Sequence, residues 1–254
     1  MDLDRHITAF TDFADGHLTG EKSRDYYILL KREHSLRVLD NGREIVENET
    51  VPAHEAELAI LASLYHDIGR FPQFARYGTY KDADSLNHGR MGVLAMRTLD
   101  LPDDVAEAEW RLIRATVGLH NAKSINPATR GCLRTMVNVV RDADKIDIFN
   151  VILDHLGDRD NPRKEVILSL EEHPTRYSGH VYEAVLSGLP CDYRTLRYSN
   201  DFILMLIGWI RDLSYETSKT LLYRRGLVDK AFFLLPADDR IKALEDRAHA
   251  YLSA

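Results

Sequence analysis

The chain has 254 residues, 44% of them hydrophobic and 29% charged, which suits a globular protein with an ample core. With 33 basic and 40 acidic residues the formal net charge is −7, so non-specific coating of nucleic acid is not expected, although a local basic pocket for a phosphate-bearing small molecule is compatible with that balance. The two cysteines, Cys132 and Cys191, form no Cys-x-x-Cys and support no disulfide framework. The opening MDLDRHITAF is too polar and acidic for a signal peptide. The longest apolar run, Phe202 to Ile210, stops at Arg211, far short of a bilayer span. A cytoplasmic protein with no membrane association is expected.

Nearly every segment reads as helix. Leu3, Ile7, Phe10 and Phe13 place a helix over Leu3 to Leu18, with a stop at Thr19-Gly20. Ser23 caps a second helix to about Asn41, where Asn41-Gly42 predicts a bend before Arg43 to Asn48. Its stripe Tyr27, Leu30, His34, Val38 turns His34 inward. Thr50 and Pro52 open a third helix whose buried face is Leu58, Leu61, Ala62 and Tyr65. Gly69 and Pro72 end it just after His66-Asp67.

Phe71 to Asp84 reads as a turn and a polar loop. Ser85 predicts a cap for a helix over Leu86 to Leu99, with His88 in its first turn and Gly89 and Gly92 permitting close packing. Pro102-Asp103-Asp104 starts the next helix, through Trp110, Ile113 and Val117 to His120, with Asn121 at its end. Pro127 opens a long core helix, Ala128 to Leu156, with Leu133, Met136, Val140, Asp144 and Ile148 facing inward.

Gly157 to Arg163 resembles a linker, and Val166 to Gly188 is least defined. Ser199 to about Tyr223 and Ala237 to Leu252 read as helices. No repeat, low-complexity tract or domain boundary stands out. The expectation is one all-helical domain over 1–254, with a core at about 23–155 and a C-terminal helical extension at about 164–254.

The chemistry concentrates in an ordered set: His34, His66-Asp67, His88, His120 and Asp144, each in or at the end of a separate predicted helix. A helix bundle can direct such residues to one point. Asp144 lies on an apolar face, where an unpartnered carboxylate is costly, so it is expected to be paired, protonated or bound to metal. Four imidazoles and two carboxylates exceed the needs of one tetrahedral ion and suit two, with Asp67 as the bridge. Imidazole-rich coordination favours Mn, Fe, Co, Ni or Zn over Mg or Ca. Two divalent ions against two aspartates leave a positive centre for an anion. A water shared by two such ions has a depressed pKa and can attack phosphorus or a carbonyl as hydroxide. Arg70 and Lys145, beside presumed ligands, are assigned to phosphate oxygens and to catalysis with Asp67, and Asn121 is a further polar candidate. Arg76, Lys81 and Arg90 extend this basic mouth.

With His34 in REHSLRV, His66 and Asp67 in HDIGRF, His88 in NHGRMG, His120 in GLHN and Asp144 in RDADKID, the sequence resembles the HD-domain superfamily of metal-dependent phosphohydrolases over about residues 23–155. The resemblance implies an all-helical bundle that hydrolyses phosphoesters. It implies a minimal metal set matched by His34, His66, Asp67 and Asp144, and a two-metal branch marked by His88 and His120, with Asp67 bridging. A lysine often follows the HD-Ile-Gly tetrad, where this chain has Arg70, which keeps the charge but changes the geometry. The GYP signature of cyclic-dinucleotide phosphodiesterases is absent, so cyclic di-GMP is not assigned.

Simpler readings stand beside these. His6, His17, His54, His155, His173, His180 and His249 read as ordinary histidines, and Asp84 and Asp147 as surface acids. Arg70 and Lys145 can serve as plain salt-bridge partners. Phe202, Trp209 and Tyr215 read as core, and Asp238 to Arg247 as a solvated helix face. The leading expectation is a dinuclear phosphohydrolase acting on a small phosphate ester such as a nucleotide. The alternatives are a di-iron oxygenase of the same superfamily and a non-catalytic nucleotide-binding signalling module that keeps the metal as structure.

Overall fold

The computed structural model describes residues 1–158, 166–167 and 169–252. Among these, regular structure is helical, with one isolated bridge between Glu171 and Tyr198 and no sheet, as expected of an all-α chain. Contacts divide it into two compact units, Met1–Asp144 and Lys145–Ala254. The linker read at Gly157 to Arg163 lies for the most part outside the described residues.

In the first unit, Asp2 caps α1 (Leu3–Asp15) by accepting from the Arg5 N–H, and His6, Phe10 and Ala14 form its buried face. α2 (Lys22–Asn48) runs as one helix through Asn41-Gly42. Packing explains the glycine. A Cβ at Gly42 would lie 2.6 Å from the Ser63 hydroxyl of α3 (Ala53–Tyr65). The Asn41 amide donates to the Ala143 carbonyl at 3.0 Å. Glycine inside a helix costs about 1 kcal/mol against alanine, and close approach of α2 to α3 offsets it. Ser23 lies inside the helix instead of capping it.

Pro52 precedes α3 as predicted, and the helix stops at His66. Beyond it, the expected turn is a further helix, α4 (Arg70–Tyr77). Pro72 does not prevent this, because in a first turn the missing N–H would have had no intrahelical partner. α4 ends at Gly78, which is left-handed at φ 66°. A 3-10 turn, Asp82–Asp84, leads to α5 (His88–Ala95), which is shorter than expected. Its cap is Asn87, accepting from the Arg90 N–H at 2.9 Å, and not Ser85. The Ser85 hydroxyl is taken by Gln73 and by the Lys81 carbonyl, both at 2.8 Å.

α6 (Glu107–Leu119) begins later than Pro102-Asp103-Asp104 suggested. Those aspartates hold the N-terminus instead: Asp103 pairs with Arg5, and Asp104 accepts from the Asp2 N–H and lies 3.0 Å from His6. α7 (Gly131–Gly157) starts at a left-handed glycine, and residues up to Asp144 belong to the first unit.

The core of this unit is formed where α3 packs on α2 and α6, α1 on α2 and α3, and α5 on α4 and α6. Phe10, Tyr65, Phe71 and Trp110 meet edge to face, the offset geometry aromatic quadrupoles favour. Gly69 is the tightest point. A Cβ there would run into the His88 carbonyl and the Gly92 nitrogen, and would lie 3.0 Å from Gly92 Cα.

In the second unit the expected helix Ser199 to Tyr223 is interrupted. α8 (Gly179–Leu186) packs on α9 (Ser199–Trp209), which tightens to a 3-10 turn at Ile210–Asp212. Leu213 is then extended before α10 (Glu216–Arg224). Apolar residues run on through Ile210, Leu213 and Tyr215 and lapse only over residues 216–220, so period alone does not place the break. The Lys145 ammonium donates to the Asp212 carbonyl at 3.2 Å, serving one of the carbonyls a helix end leaves open. At the other end of α9, buried Asp201 accepts from the backbone N–H of Ser178, Arg197 and Tyr198 and from the Ser178 hydroxyl. α11 (Leu227–Leu234), not foreseen, packs on α9 and α10. α12 (Asp239–Leu252) buries Ile241, Leu244 and Ala248 and exposes the charged face predicted for it. No helix among the described residues is long and apolar enough to cross a membrane.

Overpacking at Gly69 has no flexible neighbour to absorb it. Gly69→Ala is expected to lower unfolding free energy by about 3 kcal/mol or more, read as a fall in the urea midpoint. Gly157→Ala, with nothing among the described residues within 4 Å of the added carbon, is expected to shift it by less than about 1 kcal/mol.

Candidate metal centre

All six residues of the ordered set meet inside the first unit. His34 comes from α2, His66 and Asp67 from the end of α3, His88 from the first turn of α5, His120 from the end of α6, and Asp144 from α7. His34, His66, Asp67, His88 and His120 are buried, and the Asp144 side chain is 18% exposed.

The atoms fall into two groups around one carboxylate. His34 Nε2 lies 3.3 Å from His66 Nε2 and 3.1 Å from Asp144 Oδ1. Both rings face Asp67 Oδ2, at 3.6 and 3.8 Å. His88 Nε2 lies 3.1 Å from His120 Nε2, and these two face Asp67 Oδ1, at 3.5 and 3.7 Å. Each oxygen of Asp67 therefore addresses its own pair of imidazoles.

The protons on the rings can be placed. His66 and His120 each terminate a helix, and each Nδ1 sits 2.7 Å from the carbonyl three residues earlier, Ser63 and Val117. A carbonyl only accepts, so Nδ1 carries the hydrogen. His88 Nδ1 lies 2.9 Å from both oxygens of Asp82, which fixes the same tautomer. In the neutral rings the Nε2 lone pairs then point into the centre. His88 and His120 cannot hydrogen-bond to each other in that state, and their facing lone pairs call for a cation between them. Nitrogens about 3 Å apart suit adjacent ligands on a first-row ion with bonds of about 2.1 Å. The donor set fits a divalent metal, and such ligand atoms lie within 4.8 Å of one another in the groups His34, His66, Asp144 and His66, Asp67, His120.

Electrostatics point the same way. Burial pushes His66 below the usual imidazole range despite Asp67 and Asp144. Burial and the Arg70 charge push His88 down to about 3 against the pull of Asp82. Burial alone would raise Asp67, but the Lys31 ammonium, with His66 and Arg70, holds it well below the usual carboxylate range. Burial would likewise raise Asp144, and hydrogen bonds from His34 and His66 hold it down. His66 and His88 are thus offered as neutral imidazoles, and Asp67 and Asp144 as ionised carboxylates, the forms a metal binds.

This geometry is accompanied by a sequence match: the model of the HD domain covers residues 32–184, more than half of the chain. The chain belongs to the HD-domain family. No curated protein and no solved structure matches it. Membership places this HD domain in a superfamily of metal-dependent phosphohydrolases that bind divalent metals.

Around the centre of the HD domain the expected polar residues behave differently from one another. Arg70 is held from one nitrogen: Nη1 donates to Gln73 Oε1 at 2.9 Å and to the Tyr80 carbonyl at 2.6 Å, and lies 3.4 Å from Asp82. Its Nε lies 3.4 Å from Asp67 Oδ1 without a hydrogen bond. The Asn121 amide donates to Asp82 Oδ2 at 3.2 Å, so it supports the carboxylate behind His88. The Lys145 ammonium donates to the Asp212 carbonyl in the second unit, at 3.2 Å. Arg76 stacks over Tyr77, and Arg90 is exposed. Asp84 is exposed as read, whereas Asp147 is buried, because its position on α7 turns toward the core and not the surface.

Four supporting residues were not foreseen. Lys31 donates to Asp67 Oδ2 at 2.8 Å; it precedes His34 by three residues and so shares its helix face, a signal that spacing does contain. Asp82 and Gln73 come from a segment read as loop, and their link, 2.9 Å, exists only once α4 has formed. Arg141 ties down the end of α6 through the carbonyls of His120 and Ala122, at 2.8 and 2.6 Å.

Asp82→Asn should leave the fold intact and weaken divalent-metal affinity about 10- to 100-fold, measured by titration of the chelator-stripped protein with Co²⁺. Metal-free protein should also lose stability in weak acid. An imidazole held below its unfolded value of about 6.5 stays neutral in the native state while the unfolded chain takes up a proton. The stability present above pH 6.5 is therefore lost as pH falls towards the native value of about 3 for His88, by up to about 1.4 kcal/mol per pH unit for one such group. Urea midpoints of wild type and His88→Gln between pH 7 and 5 check this; the variant should show the shallower decline.

Proposed function

We propose that this HD domain is a two-metal phosphohydrolase that cleaves a small phosphate ester of the nucleotide class. The observation that carries the reading is the division of Asp67: Oδ2 faces His34 and His66, and Oδ1 faces His88 and His120. His34, His66, Asp144 and Asp67 would hold one ion, and His88, His120 and Asp67 the other. Bound divalent ions supply Lewis acidity for a phosphoryl oxygen and lower the pKa of water.

The protein's own residues do the rest. Nδ1 contacts with Ser63, Val117 and Asp82 keep three imidazoles aimed inward. Asp67 and Asp144 carry two negative charges against four on a pair of divalent ions, which leaves a centre that attracts a phosphate anion. Arg70, side chain 15% exposed and anchored at Nη1, adds a fixed positive charge beside Asp67 at which a phosphoryl oxygen can be oriented.

The test strips the protein with chelator and reloads it separately with Mn, Fe, Co, Ni or Zn. Phosphate release is then followed from nucleoside mono- and triphosphates, dinucleotides and sugar phosphates, in air and under argon. Release should require metal and persist without oxygen. Asp67→Asn should reduce it at least about 10³-fold and lower the bound metal per chain. Undiminished turnover by that variant with its metal content unchanged, or activity that stops under argon, would overturn the reading.

A further inference from the structure

The ammonium of Lys31 sits where a charge-balancing cation would be needed. It lies 2.8 Å from Asp67 Oδ2, the oxygen that also faces His34 and His66. Lys31 immediately precedes the segment matched by the family model. Among the described residues Asp67 is its one hydrogen-bonded acceptor, and the other neighbour of Nζ is the face of Tyr80, 5.8 Å from the ring centroid. The Lys31 side chain is 18% exposed while that of Asp67 is 4% exposed, so the lysine reaches solvent where the carboxylate it pairs with is buried.

The contrast with Arg70 is chemical. Arg70 is fixed by the Tyr80 carbonyl and Gln73, oxygens that lie outside the candidate ligand set. Lys31 depends on an oxygen that a divalent ion would claim. A divalent ion at Asp67 brings twice the charge of an ammonium and repels it at the same time. A flexible lysine stem can then move by a few ångströms without disturbing α2, and the electron-rich face of Tyr80 beside it favours a cation at the mouth.

We propose that Lys31 is a displaceable counter-ion: it neutralises Asp67 in the metal-free protein, yields Oδ2 when metal binds, and is thereby freed to hold a phosphoryl oxygen. This rests on the proposed two-metal reading and adds to it a residue that couples metal loading to phosphate binding. It also gives opposite signs to two affinities. Removing the ammonium removes a competitor for metal and a partner for phosphate.

The primary experiment uses the wild-type protein. Lys31 acylation by a pulse of acetic anhydride is quantified by mass spectrometry for the metal-free protein, with Mn²⁺, and with Mn²⁺ and inorganic phosphate. Reactivity should rise at least about threefold on Mn²⁺ binding and fall back when phosphate is added. Variants give the second readout. Mn²⁺ should bind Lys31→Met about three- to tenfold more tightly than wild type, while inorganic phosphate binds the Mn²⁺-loaded variant about tenfold more weakly. Lys31→Arg should restore phosphate binding to within about threefold. Lys31 reactivity unchanged by saturating Mn²⁺, or weaker Mn²⁺ binding by a folded Lys31→Met, overturns the proposal while leaving the two-metal reading standing. Failure of wild type to bind Mn²⁺ at all overturns both.

Discussion

The first unit is built around a charge that cannot be left alone. Asp67 is buried and ionised, and four imidazole nitrogens lie within 3.8 Å of its two oxygens. An isolated carboxylate in such a place would cost several kcal/mol, so every neighbouring element answers to it. α2 supplies both a ring and an ammonium, α4 a guanidinium, and α5 and α6 the second pair of rings. The glycines at positions 42 and 69 then acquire a common purpose: they remove side chains where backbones must close in for those groups to meet.

Helix ends are the device that aims the ligands. A histidine in mid-helix has its neighbouring carbonyls committed to the backbone ladder. At the last turn those carbonyls are open, and His66 and His120 use them to fix the tautomer and direction of the ring. His88, at the opposite kind of terminus, has no such carbonyl and takes a carboxylate from the 3-10 turn instead. Two routes of different origin give the same result, a bare Nε2 facing inward.

Much of this was legible in the chain. The six ligand candidates could be found because each lies at a helix-compatible spacing or beside a helix stop, and because His66-Asp67 puts an imidazole beside a carboxylate just before Gly69. What period and propensity did not contain was the conformation between helices. The start of α4 was hidden by Pro72, read as a breaker although it occupies a first turn. Asp82 and Gln73 become partners of the centre only through that helix. The interruption after Trp209 was hidden because apolar residues run on through Ile210, Leu213 and Tyr215, while the bond from Lys145 to the Asp212 carbonyl at the break joins residues far apart in sequence.

The bonds from His66 and His120 to Ser63 and Val117 carry a further meaning for the behaviour of the chain. Each ring is at once a candidate ligand and the stopper of its own helix, so an ion held at the ring would also hold the last turn of α3 or α6 wound. Emptying the centre would be felt as fraying at two termini, with amide exchange quickening there before the core loosens. Occupancy of the centre is written into the local order of the backbone as well as into its chemistry.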